Sequence, residues 1–129
     1  WLVTSLAMLA LKEEIPSDIK LRFLAVGGEP MNATPGRNLP FPLYNLYGPT
    51  ESSVWTSFAQ VDPSAMTQPT VGRPIDNTRI YILDRYRNPV PVGIPGEICI
   101  GGAGLARGYL NDPEMNQMKF IPDPFFQVF

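Results

Sequence analysis

The chain has 129 residues, enough to bury one core of its own and too few for two ordinary domains. Ten Lys and Arg against twelve Asp and Glu give a formal charge of −2, which offers no basic footprint for a nucleic-acid backbone or an anionic membrane surface. With no His and a single cysteine, Cys99, the sequence excludes imidazole-dependent triads and metal sites, an intrachain disulfide and a thiolate zinc centre. A hydrophobic fraction of 44% suits a globular chain, and no apolar run reaches membrane-spanning length, so the expected location is the cytoplasm. Fifteen Pro and eleven Gly predict short strands joined by many turns, and both apolar chain ends read as cuts through structure.

In chain order, Leu2 to Leu11 shows no convincing polar face and favours a largely buried helix that ends before Pro16. Leu21 to Val26 reads as a buried strand stopped by Gly27-Gly28, after which Glu29-Pro30-Met31 has the form of a helix start. Leu43 to Tyr47 is a second strand that breaks at Gly48-Pro49-Thr50-Glu51, with a short ordered segment expected from Ser52 to Phe58. Arg79 to Asp84 and Glu97 to Ile100 are further strands. In the latter, alternation puts Ile98 and Ile100 on one face and Glu97 and Cys99 on the other, which makes Cys99 a packed side chain rather than a nucleophile. Asp112-Pro113-Glu114 predicts a capped helix running to Phe120, and the following Pro-rich residues return to turning chain.

The densest polar constellation lies between Asn45 and Glu51. Glu51 is a hard-cation ligand, and one carboxylate suits a Mg²⁺ that arrives already held by phosphates. Thr50 offers a donor to an anionic oxygen, Asn45 an amide that tells donors from acceptors, and Tyr47 an aromatic face. The same residues also suit an ordinary Gly-Pro turn with satisfied polar groups. Arg107, set among Gly101, Gly102, Gly104 and Gly108, is better read as a loop-fixing residue than as a phosphate ligand, and the glycine spacing is not a dinucleotide fingerprint.

Four separated blocks carry a family resemblance. They are Leu21-Arg22-Phe23-Leu24-Ala25-Val26-Gly27-Gly28-Glu29, Asn45-Leu46-Tyr47-Gly48-Pro49-Thr50-Glu51, Val71-Gly72-Arg73-Pro74-Ile75, and the run from Gly96-Glu97-Ile98 through Gly101 and Arg107 to Tyr109. In this order they resemble the middle of an adenylation domain of a nonribosomal peptide synthetase, within the adenylate-forming superfamily. The resemblance implies an α/β fold: a fragment of the large N-terminal portion of such an enzyme, with mixed sheets, flanking helices and a glycine-rich strand-turn region. Residues 1–129 would form a partial AMP-binding adenylation domain truncated at both ends.

It also implies a reaction. An amino acid or related carboxylic acid would be activated with ATP and Mg²⁺ as an acyl adenylate, then passed to a phosphopantetheine thiol on a peptidyl carrier domain, with condensation domains as further partners and no role for nucleic acid or membrane. Thr50 and Glu51 would be the catalytic residues, Glu51 holding the metal. Gly27, Gly28, Glu29, Asn45, Tyr47 and Thr50 would bind nucleotide, Tyr47 by stacking on adenine. Leu24, Val26, Leu46, Gly48, Val54 and Trp55 would line the acyl pocket, and Gly101, Gly102, Gly104, Arg107 and Gly108 would shape the scaffold. The family's phosphate loop, Thr-Gly-Asp motif and lysine-bearing subdomain lie outside the sequence, so the segment alone is expected to be inactive. Asn116 stands where the family often has Thr, at a position read as capping or surface. The alternatives are an acyl-CoA or aryl-acid ligase of the same superfamily and a non-catalytic nucleotide-binding or interaction module.

Overall fold

A computed structural model describes residues 1–126; the last three residues of the apolar chain end lie outside the described residues. Five short strands, β1 (Leu2–Val3), β2 (Leu24–Gly27), β3 (Leu43–Tyr47), β4 (Ser57–Val61) and β5 (Arg73–Pro74), form one sheet in sequential order. The first three are parallel, and β4 and β5 turn it antiparallel. A separate antiparallel pair joins β6 (Thr78–Leu83) to β7 (Glu97–Gly102). Helices α1 (Thr4–Ala10) and α2 (Pro113–Lys119) complete the mixed α/β architecture, and no described helix is long and apolar enough to cross a membrane.

The core lies against one face of the large sheet. Leu24, Val26 and Leu43 share that face by strand alternation and meet Ala7 and Leu11 of the α1 region, with Met31 and Phe41 closing the cluster. All four residues of β2 are buried, as a parallel strand covered on both sides requires. The opposite face carries an aromatic row, with Phe23 edge-on to Tyr44 at 5.9 Å and Tyr44 tilted against Phe58 at 6.3 Å.

Three expectations are corrected. The first helix starts at Thr4, because Leu2 and Val3 pair with Val26 and Gly27, and only Thr4 and Ala7 are buried while Leu6 and Leu9 face out. No helix follows Glu29-Pro30-Met31. Met31 is drawn into the core, and the Glu29 carboxylate instead accepts the Ser5 N–H at 3.0 Å while Thr4 Oγ1 donates to the Glu29 carbonyl, so Glu29 anchors the start of α1. Neither face of β7 is a buried face, so Ile98 and Ile100 are not set apart from Glu97 and Cys99 by burial. The second helix forms as expected, with Pro113 in its first turn and the Asp112 carboxylate accepting the Met115 N–H at 3.0 Å.

Candidate functional site

Strand β3 organises the site because its side chains alternate. Asn45 and Tyr47 project to one face and Leu46 to the other, and two cavities border the strand, one lined by Asn45 and Tyr47 and the other not, with Leu46 touching both. The Asn45 cavity, about 320 Å³, is walled by Asn45, Tyr47, Gly28, Glu29, Pro69 and Val71. The Leu46 cavity, about 270 Å³, is walled by Leu46, Gly27, Thr50, Val54 and Trp55. Both reach Gly28, Leu46, Gly48 and Pro49, so the two spaces meet along the end of the strand and converge where it breaks.

Asn45 is buried, and its Nδ2 donates to the Thr70 carbonyl at 2.9 Å. That bond turns one of the amide's two N–H donors to the chain and fixes the amide's orientation, while Oδ1 accepts no hydrogen bond from the described residues. Tyr47 is half-buried and borders both the Asn45 cavity and a larger one of about 600 Å³ that runs toward β7 and α2. Its carbonyl accepts the Thr56 N–H at 2.8 Å, which extends the β3–β4 pairing past the end of the strand.

The residues on the Leu46 side are held by an unusual turn. Trp55 N–H donates to the Ser53 carbonyl at 2.9 Å, and Val54 between them has φ 74°. This is a γ-turn of the rarer, positive-φ hand, and a β-branched residue there is strained. The turn leaves the Val54 and Trp55 side chains exposed at the cavity. Gly48 lets the turn sit close: a Cβ there would lie 2.3 Å from the Val54 carbonyl oxygen.

Thr50 to Ser52 form a single 3₁₀ turn, with Thr50 exposed and Glu51 half-buried. Tyr109 Oη donates to Glu51 Oε1, and this bond, followed by one from Glu51's own backbone N–H, holds the carboxyl below the usual carboxylate range. The same bond pushes the Tyr109 phenol above its usual range. Glu51 is therefore a carboxylate at neutral pH. Among the described residues no cluster of three or more acidic, Cys or His side chains is built to hold a metal alone. An ionised carboxylate at the edge of an open cavity of mixed polar and apolar lining fits a hard cation that brings phosphate oxygens with it.

The family model for AMP-binding enzymes matches residues 1–110. The chain belongs to the AMP-binding enzyme family. Relatives of this AMP-binding chain include one of the linear gramicidin synthase polypeptides of Brevibacillus parabrevis, 49% identical over 121 residues that cover 92% of the chain and 2% of that polypeptide. Another is the nonribosomal peptide synthetase sirP of Leptosphaeria maculans, 46% identical over 109 residues that cover 81% of the chain and 5% of that synthetase. The chain thus spans a small part of the length of the relatives it matches. The fold matches an artificially fused adenylation-PCP di-domain, NpsA-ThdA, from Klebsiella oxytoca, with a TM-score of 0.83, 24% identity and coverage of 95% of this chain and 24% of that one. It also matches the NpsA N-terminal subdomain in complex with 3-hydroxybenzoyl-AMSN, with a TM-score of 0.82 and 23% identity over 95% of this chain and 33% of that one. In sequence this AMP-binding chain resembles the adenylation domain of a nonribosomal peptide synthetase, and its fold agrees.

The structure redistributes some expected site residues. Leu24 and Val26 belong to the core beneath α1 and border neither β3 cavity. Alternation gives the Leu46 face to Ala25 and Gly27 instead, and a Cβ on Gly27 would lie 3.2 Å from the Leu46 Cβ. Gly27, expected among nucleotide contacts, therefore borders the Leu46 cavity, Gly28 borders both, and Glu29 borders the Asn45 cavity with its carboxylate engaged at α1. Arg107 is exposed and joins no ion pair among the described residues, so it does not fix its loop through a carboxylate. Gly102 and Gly108 take φ 134° and Gly101 lies close to Asp123, whereas a Cβ on Gly104 would meet nothing nearer than 3.8 Å; no local sequence signal marks Tyr109 as reaching Glu51, 58 residues earlier. Asn116 is not a surface cap: its Oδ1 accepts the Tyr109 N–H at 2.6 Å and its Nδ2 donates to the Tyr109 carbonyl at 3.0 Å.

Proposed function

We propose that this chain is the central part of an adenylation domain, truncated at both ends, in which ATP and an amino acid or related carboxylic acid react to give an acyl adenylate and pyrophosphate. The observation that carries this is the pair of cavities beside β3, one holding Asn45 and Tyr47 and the other Val54 and Trp55, which meet along Gly28, Leu46, Gly48 and Pro49. In this arrangement the Asn45 cavity takes the base and the Leu46 cavity takes the acyl side chain, so the acid's carboxylate and the α-phosphate meet beside Thr50. A carboxylate oxygen attacks the α-phosphorus, the bond from that phosphorus to the bridging oxygen breaks, and pyrophosphate leaves with the electron pair.

Each side chain has a task its geometry supports. Tyr47 stacks on the base, and the Asn45 Oδ1, oriented by the Thr70 bond, accepts from an exocyclic amino group, which favours adenine over a 6-oxo purine. Thr50 donates to the α-phosphate. Glu51 would hold Mg²⁺, which when bound would supply charge neutralisation to the phosphates. Leu46, Gly48, Val54 and Trp55, with Gly27, form a mostly apolar wall that suits an uncharged side chain and separates size variants weakly. No residue of the chain serves as nucleophile, since the substrate carboxylate does, so the missing His is no obstacle. In the longer enzyme the adenylate is then attacked by a phosphopantetheine thiol of a carrier domain, releasing AMP and leaving a thioester for a condensation domain.

The test is amino-acid-dependent exchange of pyrophosphate into ATP by the full-length enzyme, across a panel of amino and aryl acids. Exchange with an apolar amino acid, and its loss when GTP replaces ATP, is the expected result. Exchange with aryl acids alone would move the enzyme to the aryl-acid branch, and no exchange with any acid would leave a nucleotide-binding module.

A further inference from the structure

The glycine-rich loop is tied to the Glu51 turn at three points. Ala106 N–H donates to the Glu51 carbonyl at 2.8 Å, Ser53 Oγ donates to the Gly104 carbonyl at 2.7 Å, and Tyr109 Oη donates to Glu51 Oε1. Tyr109 is itself fixed from α2. Asn116 clasps both backbone groups of Tyr109, whose ring lies edge-on to Phe120 at 5.6 Å. Gly108 allows the clasp, for a Cβ there would lie 2.6 Å from Asn116 Oδ1 and its φ is 134°. Among the described residues no other side chain donates to the Glu51 carboxylate.

We infer that Tyr109 is a positioning residue for Glu51: clasped by Asn116, its hydroxyl occupies one carboxylate oxygen and orients the other toward a phosphate-bound Mg²⁺. This rests on the proposed role of Glu51 as metal ligand. A carboxylate on a flexible side chain otherwise samples many rotamers, and a hydrogen-bonded partner behind a metal ligand removes that freedom before the cation arrives. The loop and α2 thus act on the metal site without touching substrate.

The test uses the full-length enzyme with a non-hydrolysable ATP analogue, and reads Mn²⁺ affinity by electron paramagnetic resonance beside the unfolding temperature. Tyr109→Phe keeps the ring on Phe120, so the unfolding temperature should hold while Mn²⁺ affinity falls about tenfold. Asn116→Ala should lower it in the same direction, and Tyr109→Phe should add nothing in a Glu51→Gln background. In exchange assays the loss should appear as a raised Mg²⁺ requirement with kcat recovered at saturating Mg²⁺. Unchanged or tighter Mn²⁺ binding in Tyr109→Phe, with Glu51→Gln still weakening it, would overturn the positioning role and leave Glu51 as ligand. Unchanged binding in Glu51→Gln would remove the metal role of Glu51 and the inference with it.

Discussion

The five-stranded sheet and the region that follows it keep their shapes by different means. Among the described residues, Leu83 is the one buried hydrophobic side chain beyond Val61; the others sit in or beside the sheet and α1. The later region is held by directed bonds instead: Asp123 accepts from Arg79 and Tyr81 at 3.3 Å, the Asp84 carboxylate accepts the Tyr86 and Asn88 N–H groups, and Asn116 clasps Tyr109. The difference bears on function because the candidate site draws on both. Asn45, Leu46 and Tyr47 are placed by packing and strand pairing, whereas the Glu51 carboxylate is placed by hydrogen bonds from outside the sheet.

The contrast is broken most severely at Gly48. Gly48→Ala drives a methyl group into the Val54 backbone and should destabilise the enzyme by about 3 kcal/mol in denaturant titrations. Gly104→Ala, whose nearest neighbour is 3.8 Å away, should stay within about 0.5 kcal/mol of wild type. Equal losses would mean that Gly104 is confined as closely as Gly48. Next in size, Glu51→Gln should lower kcat for Mg²⁺-dependent exchange about 10²-fold with the fold intact by circular dichroism. Tyr47→Ala should raise the KM for ATP about tenfold, through lost stacking, by the same factor for every acid used.

Val54→Gly separates strain from recognition. Glycine relieves the positive φ, so thermal stability should hold or rise by about 1 kcal/mol, while preference between acids differing in side-chain size shifts about tenfold. The smallest effect is expected at Cys99. Burial first, and then the Glu97 charge, push its thiol above the usual range. Less thiolate is present at pH 8 than for a free cysteine, so alkylation should be slower than for a small-molecule thiol, and faster labelling would argue for an activated cysteine.

Strands β2, β3, β6 and β7 and the Asn45–Glu51 segment are legible in the sequence because β-rich runs bounded by glycine and proline are local signals, whereas β1 falls inside an expected helix and β4 and β5 carry no such signal. What depends on partners leaves no local signal. Leu24 and Val26 are pocket wall only by the family resemblance, and the face each takes is decided by pairing with β3 and by α1 above them. Met31 left a helix start for the core, and Glu29 exchanged a helix-opening role for the anchoring of α1. Tyr109 and Asn116 were invisible as site residues because hydrogen bonds to residues 58 and 7 positions away leave no periodic trace.

The alternation of β3 is tested most directly by one set of exchange measurements on Leu46→Ala and Tyr47→Ala, over the same acid panel and ATP series. Leu46→Ala should reorder the acids at an unchanged KM for ATP, and Tyr47→Ala should raise that KM with the order of acids kept. If both variants shift acid preference and ATP use together, the two faces of the strand do not divide the two substrates.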